Sequence, residues 1–299
     1  MSPFFTVVIP TYNCADYLKR ALNSVFSQTY QNFEIIVVDN SSTDHTKDVL
    51  RSFNDGRLMV IKVNNNGIIA YSRNKGIENA KGDWIAFLDS DDIWKPKKLE
   101  KVKKSANQNT EVVLICHDEH YVENSKIKKR LRYGPAVKNL YQKLLFKGNC
   151  VSTSATCIRK NIAIETGGFS ERKEFKTAED YEYWIRLAQV GQFYFIKEIL
   201  GEFHIHDKNS SSDIHIHTSA GIAVKEYHFS LWLSKFPNMN KKVNYGRGKM
   251  YADTGATYIR SNQFTYVREY AIKAIKFNPW YWKVWIVLLI GFLRIKINQ

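Results

Sequence analysis

Three carboxylates, Asp89, Asp91 and Asp92, follow directly on the apolar run Trp84–Leu88, in a chain of 299 residues whose 44 Lys and Arg outnumber 29 Asp and Glu. Two carboxylates at i and i+2 past a strand can point into one small volume, where their repulsion raises both pKa values unless a cation sits beside them. Mg2+ and Mn2+ take oxygen ligands and often bind through one or two carboxylates together with substrate phosphates. Asp-Ser-Asp at a strand end therefore admits a divalent cation holding a diphosphate. By itself the stretch reads equally well as an acidic loop in which Asp91 or Asp92 caps the next helix.

The elements around it must bring further polar groups to the same place. Phe5–Ile9, Phe33–Val38, Leu58–Val63 and Trp84–Leu88 read as strands. Residues 16–27, Ser42–Phe53 and Ile69–Ala80 carry helical spacing between them. Such alternation means βαβ units and a parallel sheet, and continuously apolar strands imply cover on both faces. In open α/β sheets ligands sit beyond the carboxyl ends of the strands. Those ends carry Pro10-Thr11-Tyr12-Asn13, Asp39-Asn40-Ser41-Ser42, Asn64-Asn65-Asn66-Gly67 and Asp89-Ser90-Asp91-Asp92, four polar clusters predicted to converge on one edge. Farther on, Pro96–Ala106 reads as a helix, Val112–Cys116 and residues 150–159 as strands, and Ala178–Val190 as a helix. Gly201–Ser212 reads as a polar loop holding His204 and His206.

The ordered set IPTYN, VVDNSSTD, RNKGIENAKGDWIAFLDSDD and AEDYEYWIRLA resembles the family 2 glycosyltransferases of the GT-A fold, over about Phe5 to Ser212. The resemblance implies an α/β, Rossmann-like nucleotide-sugar-binding domain with a mixed, mainly parallel sheet. It implies that Pro10, Thr11 and Tyr12 line a base and ribose pocket and that Asp39 accepts from a ring N–H of the base. Arg73 would contact the nucleotide or its phosphates, Asp89 and Ser90 the donor, and Asp91 the metal, Mn2+ or Mg2+. Inverting transfer needs a base for the acceptor hydroxyl, a role that the family gives to the aspartate of a Glu-Asp pair, here Asp180. The same pair could simply favour a helix N-terminus electrostatically. His206 aligns with a family histidine that contacts metal or diphosphate.

The positive excess favours an anionic partner such as a phosphorylated small molecule, a nucleic acid or an acidic membrane. Lys126–Arg132 is strongly basic but lacks interleaved aromatics, and no nucleic-acid motif accompanies it, so no nucleic acid is expected. Cys14, Cys116, Cys150 and Cys157 fit no zinc spacing and read as reduced thiols. The N-terminus reads as a first strand and not as a signal peptide. Residues 1–214 are read as the catalytic domain and 215–299 as a helical extension. Within the extension, Gly255, Tyr258, Ala271, Ala274 and Pro279 fall at tetratricopeptide-like spacing. The apolar run Val284–Leu293 is too short to cross a bilayer, and its flanking Trp280, Trp282 and Trp285 suit an interfacial anchor.

The expected protein is a metal-dependent glycosyltransferase with a UDP-linked donor and a glycan or lipid-linked acceptor. Its expected place is the inner face of the cell membrane, as a cytoplasmic peripheral protein. A homo-oligomer, a nucleotidyltransferase on the same sheet and a non-catalytic membrane-associated scaffold remain open.

Overall fold

A computed structural model describes residues 2–206 and 213–293. The chain forms two compact units, Met1–Leu144 with Asn149–Asn209, and Leu145–Gly148 with Ser210–Gln299.

The first unit begins with the alternation read from the sequence: β1 (Phe5–Thr11), α1 (Ala15–Phe26), β2 (Phe33–Asp39), α2 (Thr46–Ser52), β3 (Leu58–Lys62), α3 (Ile69–Asn79) and β4 (Trp84–Phe87). It continues with β5 (Ile93–Trp94), α4 (Lys98–Gln108), β6 (Val112–Glu123), β7 (Lys126–Leu131), α5 (Leu140–Lys147, whose last three residues count with the second unit), β8 (Thr156–Arg159), α6 (Lys160–Glu165), α7 (Glu179–Val190) and β9 (Gln192–Ile205). The strands form one mixed sheet in the order β3-β2-β1-β4-β8-β6-β9-β5, with β7 paired to β6. Parallel pairing carries the long ladders, β1 with β2 over seven residue pairs and β6 with β9 over eleven.

Side chains alternate across β1. Phe5, Val7 and Ile9 join a core with Leu18, Leu22 and Val25 of α1 and Leu99 and Val102 of α4. Val8 faces the other way, against Gly76 of α3, where any β-carbon would overlap it. Both faces are therefore covered, as the uninterrupted apolar strands require.

Several boundaries differ from the sequence reading. The second helix starts at Thr46, not Ser42, because residues 40–45 are drawn to the end of β1. There Asn13 Oδ1 accepts from Thr43 N at 2.8 Å and Asp44 Oδ2 from Ala15 N at 3.1 Å. The strand expected over residues 150–159 shrinks to Thr156–Arg159. β6 runs to Glu123 and not to Cys116, through His117, Asp118 and Glu119, all buried. The basic stretch at Lys126 is a strand, β7, whose exposed lysines charge its open side. That is how natural sheets keep an edge from pairing with other chains. Of the expected loop at Gly201–Ser212, residues 201–205 belong to β9, and 207–212 lie outside the described residues.

The second unit contains α8 (Ile214–Lys235), α9 (Asn240–Arg260), α10 (Phe264–Phe277) and α11 (Lys283–Leu293). Asp213 caps α8, accepting from His215 N and Ile216 N. The pair α9 and α10 cannot cover its own apolar surface, and α11 lies against both. Small residues permit the approach: a β-carbon at Gly255 would strike Val287, and one at Gly291 would strike Val267.

Candidate active site

The ends of β1 and β2 are stitched together before any ligand is considered. Thr11 lies opposite Asp39 in the parallel register. Asp39 is buried, and its Oδ1 accepts from Ser42 N at 3.0 Å. Asn40 Oδ1 accepts from Asn65 N at 2.7 Å, which joins the loop after β3. Pro10 and Thr11 are buried, while Tyr12 is 55% exposed at the rim. Thr11 Oγ1 is a buried hydroxyl with no protein partner, and such a group at a strand end is available to a ligand.

The turn after β4 is held from below. Asp89 N donates to Ser154 Oγ at 3.0 Å, and Asp92 N donates to Asp89 O at 3.1 Å. Ser90 is buried within it. Asp92 points inward, where its Oδ1 accepts from His204 N at 2.8 Å. Burial, with Asp91, Glu119 and Asp89 nearby, raises its pKa well above the usual carboxylate range. Asp92 is thus neither a helix cap nor a free acid; it fastens β9 to the turn. β9 then delivers His206, whose Nε2 lies 3.0 Å from Asp91 Oδ2 while its ring stacks on Tyr17 at 4.5 Å.

Arg73 stands behind these groups. It is 3% exposed, with Nη2 donating to Asp89 Oδ1 and Nη1 to Glu179 Oε1, both at 2.7 Å, and with its guanidinium over the Phe169 ring. Burial opposes its charge, but Asp89 and Glu179 more than offset that and raise its pKa above the ordinary arginine value. A guanidinium can serve two carboxylates at once because its donors form a planar fork. Both of its terminal nitrogens are engaged within the protein.

Asp180 opens α7 beside Glu179 and keeps partial exposure. Its Oδ2 accepts from Thr153 Oγ1 at 3.2 Å. Burial, then the neighbouring Glu179 charge, push its pKa up to about 6, against the pull of Arg73. Asp180 and Asp89 are held by adjacent residues, Thr153 and Ser154, which nothing in the sequence reading singled out. The hydroxyl run Ser152-Thr153-Ser154 was the available signal, hidden inside a segment read as a strand.

The electrostatics fit a bound cation. Asp89 has a raised pKa, from burial first and from Asp91 and Glu179 in addition, with Arg73 opposing. Asp91 and His206 offer one oxygen and one nitrogen donor side by side. Among the described residues no group of three or more His, Cys, Asp or Glu could hold a metal alone. That donor set fits an ion completed by substrate phosphates and water, the manner in which Mg2+ is usually held.

Residues 6–167 match the model of the glycosyl transferase family 2. The putative teichuronic acid biosynthesis glycosyltransferase TuaG of Bacillus subtilis is 31% identical over 71% of this chain and 82% of its own length. The UDP-Glc:alpha-D-GlcNAc-diphosphoundecaprenol beta-1,3-glucosyltransferase WfaP of Escherichia coli is 32% identical over 62% of this chain and 70% of its own. Among solved structures, S. aureus TarS 1–349 in complex with UDP-GlcNAc superposes with a TM-score of 0.63 at 17% identity, over 97% of this chain and 91% of that one. The sheet order, the acidic turn after β4 and these matches agree: the chain is a glycosyltransferase of the GT-A fold and belongs to family 2.

Proposed function

We propose that the enzyme moves a sugar from a UDP-linked donor to a hydroxyl of a glycan or lipid-linked acceptor in cell-surface polysaccharide synthesis. Mn2+ or Mg2+ is bound beside the donor, and the anomeric carbon is inverted. The donor and acceptor classes are supported by the name of WfaP, which gives UDP-Glc and a diphosphoundecaprenol-linked GlcNAc, and by that of TuaG, which gives teichuronic acid biosynthesis. The observation that carries the reading is the position of Asp180, partly exposed and tied through Glu179, Arg73 and Asp89 to the acidic turn.

In this reading Pro10, Thr11, Tyr12 and Asp39 receive the nucleoside. Asp89 and Ser90 hold the sugar and ribose side of the donor, and Asp91 and His206 hold the cation. When bound, that cation offsets negative charge on the departing diphosphate, the kind of electrostatic term that is usually largest in catalysis. Asp180 accepts the acceptor's hydroxyl proton. The oxygen bonds to the anomeric carbon as the bond from that carbon to the diphosphate oxygen breaks, and its electron pair leaves with UDP. Arg73 acts through its charge, from its buried place between Asp89 and Glu179.

Calorimetry with UDP tests the site. Mn2+ is expected to strengthen UDP binding to the wild type, and Asp91→Ala is expected to remove that enhancement. Metal-independent UDP binding in the wild type would refute the cation's role. A panel of nucleotide sugars scored for metal-dependent hydrolysis then identifies the donor.

A further inference from the structure

We propose that the outer face of α11 is a docking surface for an anionic lipid bilayer, on which the protein rests without crossing. The inference does not depend on the donor chemistry. One side of α11 is spent inside the protein: Val284 and Val287 are buried, Val287 lies against Gly255 of α9, and Gly291 lies against Val267 of α10. The opposite side is just as apolar and is open. Trp282, Trp285, Leu289 and Phe292 follow one another at helical spacing, and each is at least half exposed. Trp280, just before the helix, is 93% exposed. A helix that is apolar all round is ordinarily buried, so a surface with this composition calls for an apolar neighbour.

Length and charge choose the neighbour. Eleven residues of helix reach about 16 Å, roughly half of a ~30 Å hydrocarbon core. No helix among the described residues is long and apolar enough to cross a membrane. The described surroundings are basic: from Phe264 to Leu293 four Lys and Arg stand against a single acid, Glu269. Two of these cations sit on the exposed aromatics, Arg268 over Phe292 at 4.7 Å and Lys283 over Trp282 at 5.7 Å. An apolar stripe with tryptophans at its margin and cations beside it matches the headgroup boundary of an anionic leaflet. A second copy of this chain would bring the same positive excess to the contact, which disfavours self-association through this face.

Sedimentation of the full chain with vesicles tests this. Phosphatidylcholine vesicles containing phosphatidylglycerol are expected to carry the protein down, and salt is expected to weaken the binding. Pure phosphatidylcholine should carry much less. The double variant Trp285→Ser/Leu289→Ser changes only exposed side chains; its partition onto anionic vesicles is expected to fall at least about tenfold. Its UDP affinity should be unchanged. Undiminished binding by the variant, or indifference of the wild type to anionic vesicles, overturns the proposal. So does a dimer in the absence of lipid that the double substitution converts to monomer.

Discussion

At the scale of single residues, the site gives each of its carboxylates a different partner. Asp91 faces an imidazole, Asp89 a guanidinium, Asp92 a backbone amide, and Asp180 a hydroxyl beside a second acid. Only Asp180 combines partial exposure with a pKa brought to about 6, a value suited to taking a proton near neutrality. Asp180→Asn is expected to lower kcat by about 10²–10⁴-fold while leaving nucleotide-sugar affinity nearly intact. Equal loss of binding and turnover would show instead that the side chain supports structure. Because the base works deprotonated, activity should rise as pH increases through about 6. Glu179→Gln removes the neighbouring negative charge and leaves Arg73 opposed by one carboxylate fewer. Both effects lower the Asp180 pKa, so the acidic limb of the pH–rate profile should move to lower pH; a limb that stays in place would assign the titration to another group.

At the scale of elements, the alternation from Phe5 to Leu88 was legible because each unit is local. An apolar strand, a polar turn and a helix of about a dozen residues follow within thirty positions. The same locality explains why four polar clusters could be expected at one edge from the sequence alone. The last part of β9 was not legible, since Gly201 to Ile205 set a glycine, a glutamate and a histidine around Phe203 and become a strand only by pairing with Glu119 to Glu123, eighty positions earlier in the chain. The long inner part of β6 was missed for a related reason: His117, Asp118 and Glu119 look like the end of a strand, yet they lie wholly inside. Arg130 satisfies Asp118 at 2.6 Å, and Tyr133 Oη donates to Glu119 Oε2 at 2.9 Å. Lys98, buried under the Trp94 ring, donates to Ser154 O. Burial pushes the Glu119 pKa from 4.5 up to about 7, so the folded state prefers its protonated form. Stability from that preference is complete below about pH 4.5 and is lost as pH rises to about 7. Glu119→Gln imitates the protonated side chain. Thermal melts should therefore show the wild type losing on the order of 1–3 kcal/mol relative to this variant between pH 5 and 7. A constant difference across that range would mean that Glu119 is charged throughout in the fold.

At the scale of the whole molecule, one unit carries the transfer chemistry and the other is an assembly of helices with a net positive charge. Family membership sets aside both the nucleotidyltransferase and the idle scaffold as accounts of the first unit. The helical reading of the extension rested on the spacing of Gly255, Tyr258 and Ala271, which lie on α9 and α10; α11 was visible only as an apolar run. Sequence alone could not separate its two sides, because Val284 and Leu289 differ in surroundings and not in chemistry. The unspent side of that helix has a kinetic meaning. An enzyme resting on it would meet lipid-borne acceptors by lateral diffusion, and its turnover would follow how densely they populate the surface, not how many there are in the surrounding volume.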